Sequence, residues 1–382
     1  MKCKLSEIAL FNPTETLKKG TLAKKVGMDK LKSFCRDIPD YEIAEFSSGT
    51  KFRNGDTIMA RITPCLENGK TAKVNILDTE EVGFGSTEYI VFRAIHGITD
   101  EDYLYYLVCS PIVRDIAIKS MVGSSGRQRV QTDVVKGIEV ELPTLDEQRK
   151  IGSLLKILDD KIAVNNEINE NLLQQLHVLY LRLFCDSAMD SPLGDVVATT
   201  SGGTPSRKHD EYYSDSSICW VKSKELLGNY IHETEEHIND LAIKKSSAKL
   251  LPEHSVLIAM YGATVGAYGV ISKPMTCNQA VCALLCNENY PYTYLFQIAY
   301  ESQQKFINLA VGSAQQNISQ VLIKQLNLHS DPDIIQKFHG LALPMHKEIE
   351  SLQAENMRLS ALRDNLLPKL MSGELDVSNL DL

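Results

Sequence analysis

A long amphipathic helix in the middle of the chain constrains the fold more than any other feature of the sequence. In residues 143–186, apolar side chains recur at alternating intervals of four and three, at Ile151, Leu155, Leu158, Ile162, Leu172, Leu176, Leu179 and Leu183. This spacing is typical of a coiled-coil seam, and Asn165 and Asn169 interrupt it. Thr144 and Glu147 have the spacing of a capping box, which predicts where the helix begins. A helix of about 40 residues extends about 60 Å, the dimension of a spacer.

The same pattern returns near the C-terminus, in residues 332–371. A shift of 187 residues aligns the first seam with Phe338, Ala342, Met345, Ile349, Leu359, Leu366 and Leu370. Two seams in matched register predict an internal repeat, with the helices antiparallel about a pseudo-two-fold axis. The shift also aligns Asn169 with Asn356, which would fix the register of the seam, although exposed positions on a loosely amphipathic helix explain them equally well. Pro344 predicts either a kink or the start of the long section of the second helix.

Outside the long helices, strand-like and helix-like segments alternate without a regular βαβ rhythm. The predicted fold class is therefore α/β in the mixed α+β sense, with two modules separated by two long antiparallel coiled-coil helices and an internal pseudo-two-fold repeat. The predicted boundaries are 1–143 for the first module, 144–186 for the central spacer helix, 187–331 for the second module and 332–382 for the C-terminal spacer helix. A Gly/Ser loop in each module extends the repeat. It aligns Gly123 with Gly312 and, past a one-residue gap, Arg129-Val130 with Asn317-Ile318.

The composition is that of an ordinary globular protein, with 382 residues of which 43% are hydrophobic and 23% charged. Such a length predicts two or three domains with full cores. The chain has no apolar run long enough to span a membrane, and its start, MKCKLSEIALFN, is unlike a signal peptide, so we expect a cytoplasmic protein without membrane contact. Cys277, Cys282 and Cys286 cluster, but without CxxC pairs or histidine partners they favour a buried strand over a zinc site.

The motifs of enzymes that act on nucleic acids are missing. The sequence has no GxxxxGK[ST] phosphate-binding loop, and only Asn12-Pro13 resembles part of the Asn-Pro-Pro-aromatic motif of a methyltransferase. Asp159-Asp160-Lys161 resembles the end of a nuclease triad, but it lies on the predicted charged face of a helix. We therefore expect no catalytic activity, and neither a metal nor a cofactor in this chain. The net charge of −9 argues that any DNA binding depends on local patches or on partner subunits.

Ordered motifs run through both modules and both long helices. The first module contains IMARITPCLENGKTA at 58–72 and FGSTEYIVFR at 84–93. The second contains GGTPSR at 202–207, EYY at 211–213, CWVKSKEL at 219–226, SSAKLLP at 246–252, VLIAMYGATVG at 256–266 and CNQAVCA at 277–283. The helices contain DEQRKI, LDDKI, an Asn-rich centre and LLPKLMSGEL. Taken together and in order, these motifs resemble the specificity (S) subunit of type I restriction-modification systems over nearly the whole chain.

The resemblance implies that each module is a target recognition domain that reads one half of a bipartite, asymmetric site in double-stranded DNA. The helices would set the spacing between the halves. It also implies a non-catalytic subunit that positions two modification (methyltransferase) subunits acting on adenine and, where the system also cleaves DNA, two restriction subunits. S-adenosylmethionine, ATP and Mg²⁺ are expected in those partners. The alternative is a two-headed coiled-coil scaffold that binds no nucleic acid, and the unlike loops of the two heads argue against it.

In the first module, polar and charged side chains concentrate in turns beside predicted strands and in the Gly/Ser loop. The guanidinium of Arg61 suits guanine O6 and N7, and the carboxylate of Glu67 suits cytosine N4, with a solvated hairpin as the alternative for this turn. The predicted DNA-binding residues here are Arg61, Thr63, Glu67, Asn68, Lys70, Ser86, Thr87, Arg127, Gln128 and Arg129.

In the second module, the GGTPSR turn would offer hydroxyls and a guanidinium to the DNA, while a purely structural turn explains its glycines equally well. Trp220 is expected in the core rather than stacked on a base. The amides of Asn278 and Gln279 suit adenine, although a buried turn would use them as readily. The predicted DNA-binding residues here are Thr204, Ser206, Arg207, Lys222, Ser223, Tyr261, Thr264, Asn278, Gln279, Gln315, Gln316 and Asn317.

Overall fold

The chain folds into two compact units, and two long helices contribute to both. The computed structural model describes residues 1–124, 126–311 and 317–378. Unit 1 comprises Met1–Ala163 with Met357–Leu382, and unit 2 comprises Val164–Asn356. Within the described ranges, no helix combines the length and the apolar character that crossing a membrane requires.

Unit 1 contains short strands and helices followed by half of the first long helix. In chain order these elements are β1 (Lys2–Lys4), α1 (Leu5–Ile8), β2 (Ala9–Phe11), β3 (Leu22–Val26), β4 (Glu42–Glu45), β5 (Thr50–Phe52), β6 (Thr57–Ala60), β7 (Thr71–Lys73), β8 (Gly83–Gly85), β9 (Tyr89–Ala94), α2 (Glu101–Cys109), α3 (Pro111–Lys119), α4 (Thr132–Lys136), β10 (Glu139–Glu141) and α5 (Leu145–Phe184).

An antiparallel four-stranded sheet in the order β2-β9-β6-β7 forms the centre of unit 1. Its central strands bury β-branched and aromatic side chains, which suit a pleated surface: Ile58, Ile90, Val91 and Phe92. A second sheet has the order β4-β3-β8-β5. Helix α2 packs on β6 and β9. The sequence predicts one helical stretch over 100–121, but it is divided between α2 and α3 because Pro111 has no N–H to continue the helix.

Unit 2 contains half of each long helix around a second set of short elements. These are β11 (Met189–Pro192), α6 (Leu193–Val196), β12 (Ala198–Ser201), β13 (Ile218–Val221), β14 (Asn229–Ile231), β15 (His237–Ile238), α7 (Asp240–Lys245), β16 (Val256–Ala259), β17 (Tyr268–Ile271), β18 (Thr276–Cys277), β19 (Val281–Leu285), α8 (Tyr292–Val311), α9 (Gln320–Lys324), β20 (Asn327–His329) and α10 (Pro332–Met371).

The main sheet of unit 2 has five strands in the order β12-β19-β16-β17-β14. It buries the apolar runs of β16 and β19, and helix α8 packs against β16 and β17. The stretch predicted as one buried strand with three thiols is divided into β18 and β19, which bury Cys277 and Cys282, and the half-buried Cys286 follows β19. Desolvation raises the pKa of the Cys277 and Cys282 thiols to about 12. A smaller sheet has the order β15-β13-β18.

The two units repeat one arrangement of elements. The order β2-β9-β6-β7 in unit 1 corresponds to β12-β19-β16-β17 in unit 2. In unit 1 the backbone N–H of Val130 donates to the carbonyl of Arg61 at 2.8 Å, and in unit 2 the N–H of Ile318 donates to Met260 at 2.9 Å. These two bonds join corresponding loops to the ends of corresponding strands. The alignment of Arg129 with Asn317 therefore describes real structural equivalence.

Helix α5 begins at the predicted capping box. The backbone N–H of Thr144 donates to the Glu147 carboxylate at 2.8 Å, and the Glu147 N–H donates to the Thr144 hydroxyl at 3.3 Å. These bonds satisfy two N–H groups that the first turn of a helix leaves without partners. The Thr144 hydroxyl also donates to the Glu147 carboxylate at 2.7 Å. This bond, and then the bond from the Thr144 N–H, lowers the pKa of Glu147.

Within unit 1, α5 packs against the end of α10. Ile151 and Leu155 share the core with Leu367 and Leu370. Beside this apolar contact, the Arg363 guanidinium donates to the buried Asp159 carboxylate at 2.6 Å, and the hydroxyl of Tyr106 donates to the same carboxylate at 2.7 Å. Asp159, which the sequence places on the charged face of the helix, is therefore buried and paired with Arg363 and Tyr106.

Within unit 2, Asn165 and Asn169 of α5 are buried and Asn356 of α10 is half-buried, so Asn169 and Asn356 are not exposed positions on the helices. Asn165 donates to Glu355 at 2.7 Å and to Asn356 at 2.9 Å. Asn169, the residue that the repeat aligns with Asn356, is buried as well, but its carbonyl oxygen has no partner within the described residues. Helix α10 begins at Pro332 and continues through Pro344, so Pro344 does not mark its start.

Candidate nucleic-acid interface

In unit 1, the loops that carry the predicted residues meet at one end of the main sheet. The last residue of β6, Ala60, lies opposite Tyr89, the first residue of β9. The loop 61–70, which joins β6 to β7, therefore lies beside the turn 86–88. We call these two segments, together with residues 122–124 and 126–130, rim 1.

Backbone bonds hold residues 128–130 in place on rim 1. The N–H of Thr63 donates to the carbonyl of Gln128 at 3.0 Å, and the N–H of Val130 donates to Arg61 at 2.8 Å. Arg129 therefore projects from a strand-like pairing with Ile62 rather than from a free loop. Three separate stretches of sequence thus form one surface.

A carboxylate at the centre of rim 1 joins two of the predicted arginines. Glu88 accepts from the Nε and Nη2 atoms of Arg129, at 3.0 and 2.7 Å, and from the Nε atom of Arg61 at 3.2 Å. The bond from Arg129, and then that from Arg61, lowers the pKa of Glu88. Glu88 is outside the set predicted from the sequence, although it directly follows two members of it.

The remaining predicted residues of rim 1 differ in how free they are to contact DNA. Glu67, Asn68, Thr87 and Arg127 are exposed, whereas Gln128 is half-buried. The hydroxyls of Thr63 and Ser86 bond within the rim, to Met121 and to the N–H of Glu88. The Lys70 ammonium donates to the carbonyl of Met28 at 2.7 Å and is engaged inside the unit.

In unit 2, the corresponding loops also meet at one end of the main sheet. Ser201, the last residue of β12, lies opposite Cys282 near the start of β19, and Ala259, the last residue of β16, lies opposite Val281. The segments that continue from these ends carry the predicted residues. We call them rim 2, which comprises residues 202–207, 220–223, 261–265, 277–280 and 317.

The two glycines of the GGTPSR turn are required by close backbone contact. A Cβ atom on Gly202 would lie 2.1 Å from the carbonyl oxygen of Cys277, and one on Gly203 would lie 2.3 Å from the backbone nitrogen of Ala248. Trp220 is buried as predicted, and its indole N–H donates to the carbonyl of Gly203 at 3.0 Å. The glycines and the tryptophan therefore shape the turn, and its exposed side chains remain for recognition.

A carboxylate also joins two predicted cations on rim 2. Glu236 accepts from the ammonium of Lys222 and from the guanidinium of Arg207. The bond from Lys222 contributes most to lowering the pKa of Glu236, followed among the attractive contacts by that from Arg207. The guanidinium of Arg207 also lies 4.3 Å from the centre of the Tyr213 ring. No motif pointed to Glu236, because it lies in an acidic run that reads as an ordinary exposed turn.

The other predicted residues of rim 2 lie as follows. Thr204, Ser206, Tyr261 and Gln279 are exposed, while Ser223, Thr264, Asn278 and Asn317 are half-buried. Tyr261 pairs with Asn317 through the backbone, and the Asn278 carbonyl oxygen accepts from the N–H of Ala280 at 3.1 Å. Gln315 and Gln316 lie outside the described residues.

Among the described residues, one group has the donor atoms that a metal ion would need. Cys219, Glu233 and His237 place their ligand atoms within 4.8 Å of one another. Hydrogen bonds already satisfy this group, with the Cys219 thiol 2.9 Å and the His237 Nε2 atom 2.6 Å from Glu233. The ammonium of Lys273 lies 3.2 Å from the same carboxylate, and its charge opposes a cation there.

Comparisons with known proteins agree with the ordered motifs. A family model described as the type I restriction modification DNA specificity domain matches residues 2–174 and 187–340. The MjaIX type I restriction enzyme specificity subunit of Methanocaldococcus jannaschii is 26% identical over 310 residues, covering 74% of this chain and 71% of that protein. The HindI specificity subunit of Haemophilus influenzae is 22% identical over 406 residues, covering 85% and 87%.

The fold also resembles a solved structure. The crystal structure of a type I restriction-modification system S subunit from M. genitalium aligns with a TM-score of 0.59 at 13% identity, covering 99% of this chain and 96% of that one.

Proposed function

Because the chain belongs to the type I restriction modification DNA specificity domain family, we propose that it is the DNA sequence-specificity subunit of a type I restriction-modification complex. The observation that carries the proposal is that the family model matches two separate stretches, each of which contains most of one main sheet and its rim. Relatives that align over most of their length are specificity subunits by name.

Each rim is proposed to read one half of a bipartite DNA site. Both rims place guanidinium, hydroxyl and amide groups on loops, the groups that pair with base edges and phosphates. The side chains differ at equivalent positions, for example Ile62 and Arg129 in rim 1 against Tyr261 and Asn317 in rim 2. Different side chains select different bases, so the two half-sites should differ and the whole site should be asymmetric. Residues 1–143 and 187–331 are the proposed recognition domains.

The long helices are proposed to form an antiparallel coiled coil that sets the distance between the half-sites. Within unit 2 the buried Asn165 bonds to Asn356, and within unit 1 the buried Asp159 bonds to Arg363. Polar pairs of this kind fix register along an otherwise apolar seam. The same repeat, extended to the whole chain, would relate the two recognition domains by a pseudo-two-fold axis.

The chemistry is assigned to partner subunits. We propose that this subunit is non-catalytic and positions two methyltransferase subunits that modify adenine with S-adenosylmethionine, with two restriction subunits that use ATP and Mg²⁺ where the system also cleaves. Double-stranded DNA as the target implies a cytoplasmic location. The scaffold without nucleic-acid binding is disfavoured because the family of both stretches is defined by DNA specificity.

The test is the methylation pattern of host DNA, read by long-read sequencing in cells with and without the gene. We expect one bipartite, non-palindromic motif carrying methyladenine that disappears when the gene is deleted. Exchanging residues 187–331 for the second module of another family member should then change one half of the motif and leave the other unchanged. A pattern unaffected by the deletion would contradict the proposed function, and a change of both halves would contradict independent reading.

A further inference from the structure

Both rims contain the same charge arrangement, in which one carboxylate pairs with two cations from different loops and offsets one of their two positive charges. On rim 1, Glu88 contacts Arg61 and Arg129. On rim 2, Glu236 contacts Arg207 and Lys222. All four cations belong to the set predicted to contact DNA, and the two carboxylates do not. The arrangement thus recurs at the proposed reading surface of each unit.

These groups lie where DNA could reach them. The side chains of Arg129 and Arg207 are 48% and 56% exposed, and those of Glu88 and Glu236 are 20% and 32% exposed. A buried pair would serve mainly to hold the fold together, but a partly exposed pair exchanges its partner at little cost. The cations can therefore bind a phosphate or a base only if the carboxylate releases them or itself finds a hydrogen-bond donor on the DNA.

A carboxylate in this position affects wrong and right DNA differently. A guanidinium binds carboxylates and phosphates with the same fork of donors, so a phosphate must compete with the carboxylate and is repelled by it. Base edges instead offer donors, at cytosine N4 and adenine N6, that a carboxylate accepts. A matching site can therefore satisfy the carboxylate as well as the cations, while a non-matching site meets its charge uncompensated.

We propose that Glu88 and Glu236 are specificity-determining residues, each of which lowers the affinity of its rim for non-specific DNA by pairing with two cations and offsetting one of their two positive charges. The inference rests on the proposed function and adds two residues to its reading surfaces. Only a matching half-site offers a donor to the carboxylate and so offsets its repulsion of the DNA. Each carboxylate therefore determines how strictly its own half of the motif is selected.

The first test measures non-specific binding of the full chain. Glu88→Gln and Glu236→Gln keep the size of the side chain and remove its charge. Glu141→Gln controls for net charge, because Glu141 and its partner Lys2, 3.8 Å away, are both exposed. Binding of a 30-base-pair duplex of random sequence is followed by fluorescence anisotropy from 50 to 200 mM NaCl. We expect each rim variant to bind roughly threefold to tenfold more tightly at 50 mM, with the slope of log affinity against log salt steeper by about 1 to 2. Slopes and affinities equal to those of the control would overturn the inference.

The second test reads the motif in cells. Glu88→Gln should relax one half of the methylated motif, Glu236→Gln the other half, and Glu88→Asp should restore stringency because it restores the charge. A merely structural role would lower the thermal midpoint and the level of methylation without relaxing one half selectively. If one glutamine variant fails to fold, the glutamine variant in the other unit is used for the same measurement. If the wild-type motif disappears on gene deletion but the glutamine variants methylate as selectively as the wild type, this inference alone is refuted. If the wild-type gene produces no methylated motif, the proposed function is refuted.

Discussion

His346 shows how burial alone makes one side chain sensitive to pH. It is fully buried on α10, its Nδ1 atom lies 2.7 Å from the Tyr230 hydroxyl, and its Nε2 atom has no partner within the described residues. Burial, with smaller contributions from His339 and His254, lowers the pKa of His346 to about 3. The neutral imidazole accepts from Tyr230, and protonation would place an unpaired charge in the core of unit 2.

Unit 2 should therefore lose stability as the pH falls below the ordinary histidine value of 6.5. Below that pH the unfolded chain binds a proton at His346 that the folded chain does not, so the free energy of unfolding falls by about 1.4 kcal/mol per pH unit. Desolvation also lowers the pKa of His329 and His339, which adds to the slope. His346→Gln should flatten the dependence between pH 6.5 and 5. Urea unfolding followed by the fluorescence of Trp220, the single tryptophan, measures it, and an unchanged slope in the variant would contradict the assignment.

Single residues were predictable where their chemistry is local. Trp220 and the glycines of the GGTPSR turn could be assigned structural roles as one of two alternatives, because a glycine pair and a lone tryptophan have few other uses. The sequence draws attention to Glu88 only as a neighbour of Ser86 and Thr87 before a strand. The pairing of Glu88 and Glu236 with two cations each was not predictable, because partners such as Arg129 and Arg207 are distant in sequence. Lys70 looked available for the same reason, since nothing in the sequence shows that Met28 accepts from its ammonium.

At the level of elements, the contact between α5 and the end of α10 in unit 1 combines an apolar seam with a buried ion pair. The side chains of Asp159 and Arg363 are only 5% and 12% exposed. Removing one partner of a buried pair leaves an uncompensated charge, whereas removing both can be nearly neutral.

We therefore predict that Arg363→Met lowers the free energy of unfolding of unit 1 by about 3 to 5 kcal/mol. The double variant Asp159→Asn with Arg363→Met should recover a large part of this loss, because the isosteric amide keeps a polar partner for Tyr106 without a charge. Far-UV circular dichroism during urea unfolding reports the loss, and Trp220 fluorescence serves as the internal control because that residue belongs to unit 2. Equal destabilisation in the single and double variants would show that packing, rather than charge, dominates the contact.

Elements were predictable where periodicity is strong and less so where pairing is distant. The two long helices, the capping box of Thr144 and Glu147, and the central strands β6, β9, β16 and β19 all follow from patterns within a few residues. The sheet β4-β3-β8-β5 is not predictable from the sequence, because β3 and β4 lack a clear alternation of apolar and polar side chains. They carry charged residues instead, such as Lys25 and Glu42, which pair with each other. The polar pairing of Asn356 with Asn165 instead of Asn169 shows that a repeat in sequence does not give the register of contact.

At the scale of the whole molecule, the net charge of −9 and a proposed role in DNA binding are compatible because charge is organised locally. The same strand order in both units brings loops to one end of each main sheet, and each rim pairs two cations there with one carboxylate. Such an arrangement favours selective over tight binding, and leaves much of the phosphate neutralisation to partner subunits.

The proposed spacer function gives the last prediction. Each long helix passes from one unit to the other, α5 between Ala163 and Val164 and α10 between Asn356 and Met357. An insertion in α5 alone would move one half of its apolar seam out of register with α10, which is unchanged. The insertion must therefore be made in both helices, between Ala163 and Val164 and between Asn356 and Met357. Four residues in each helix add about 6 Å and little more than one turn, which keeps the seam near its original face and corresponds to roughly two base pairs of DNA.

We expect this paired four-residue insertion to lengthen the spacer of the methylated motif by one or two base pairs while both half-site sequences stay the same. A paired two-residue insertion is the matched control. Because it turns each distal segment by about 200°, it should rotate the recognition domains out of phase with the DNA and abolish methylation. Long-read sequencing of DNA from cells carrying each variant gives the motif directly. An active four-residue variant with an unchanged spacer would mean that the helices do not measure the distance between the half-sites, and that this distance is set within the recognition domains or by the partner subunits.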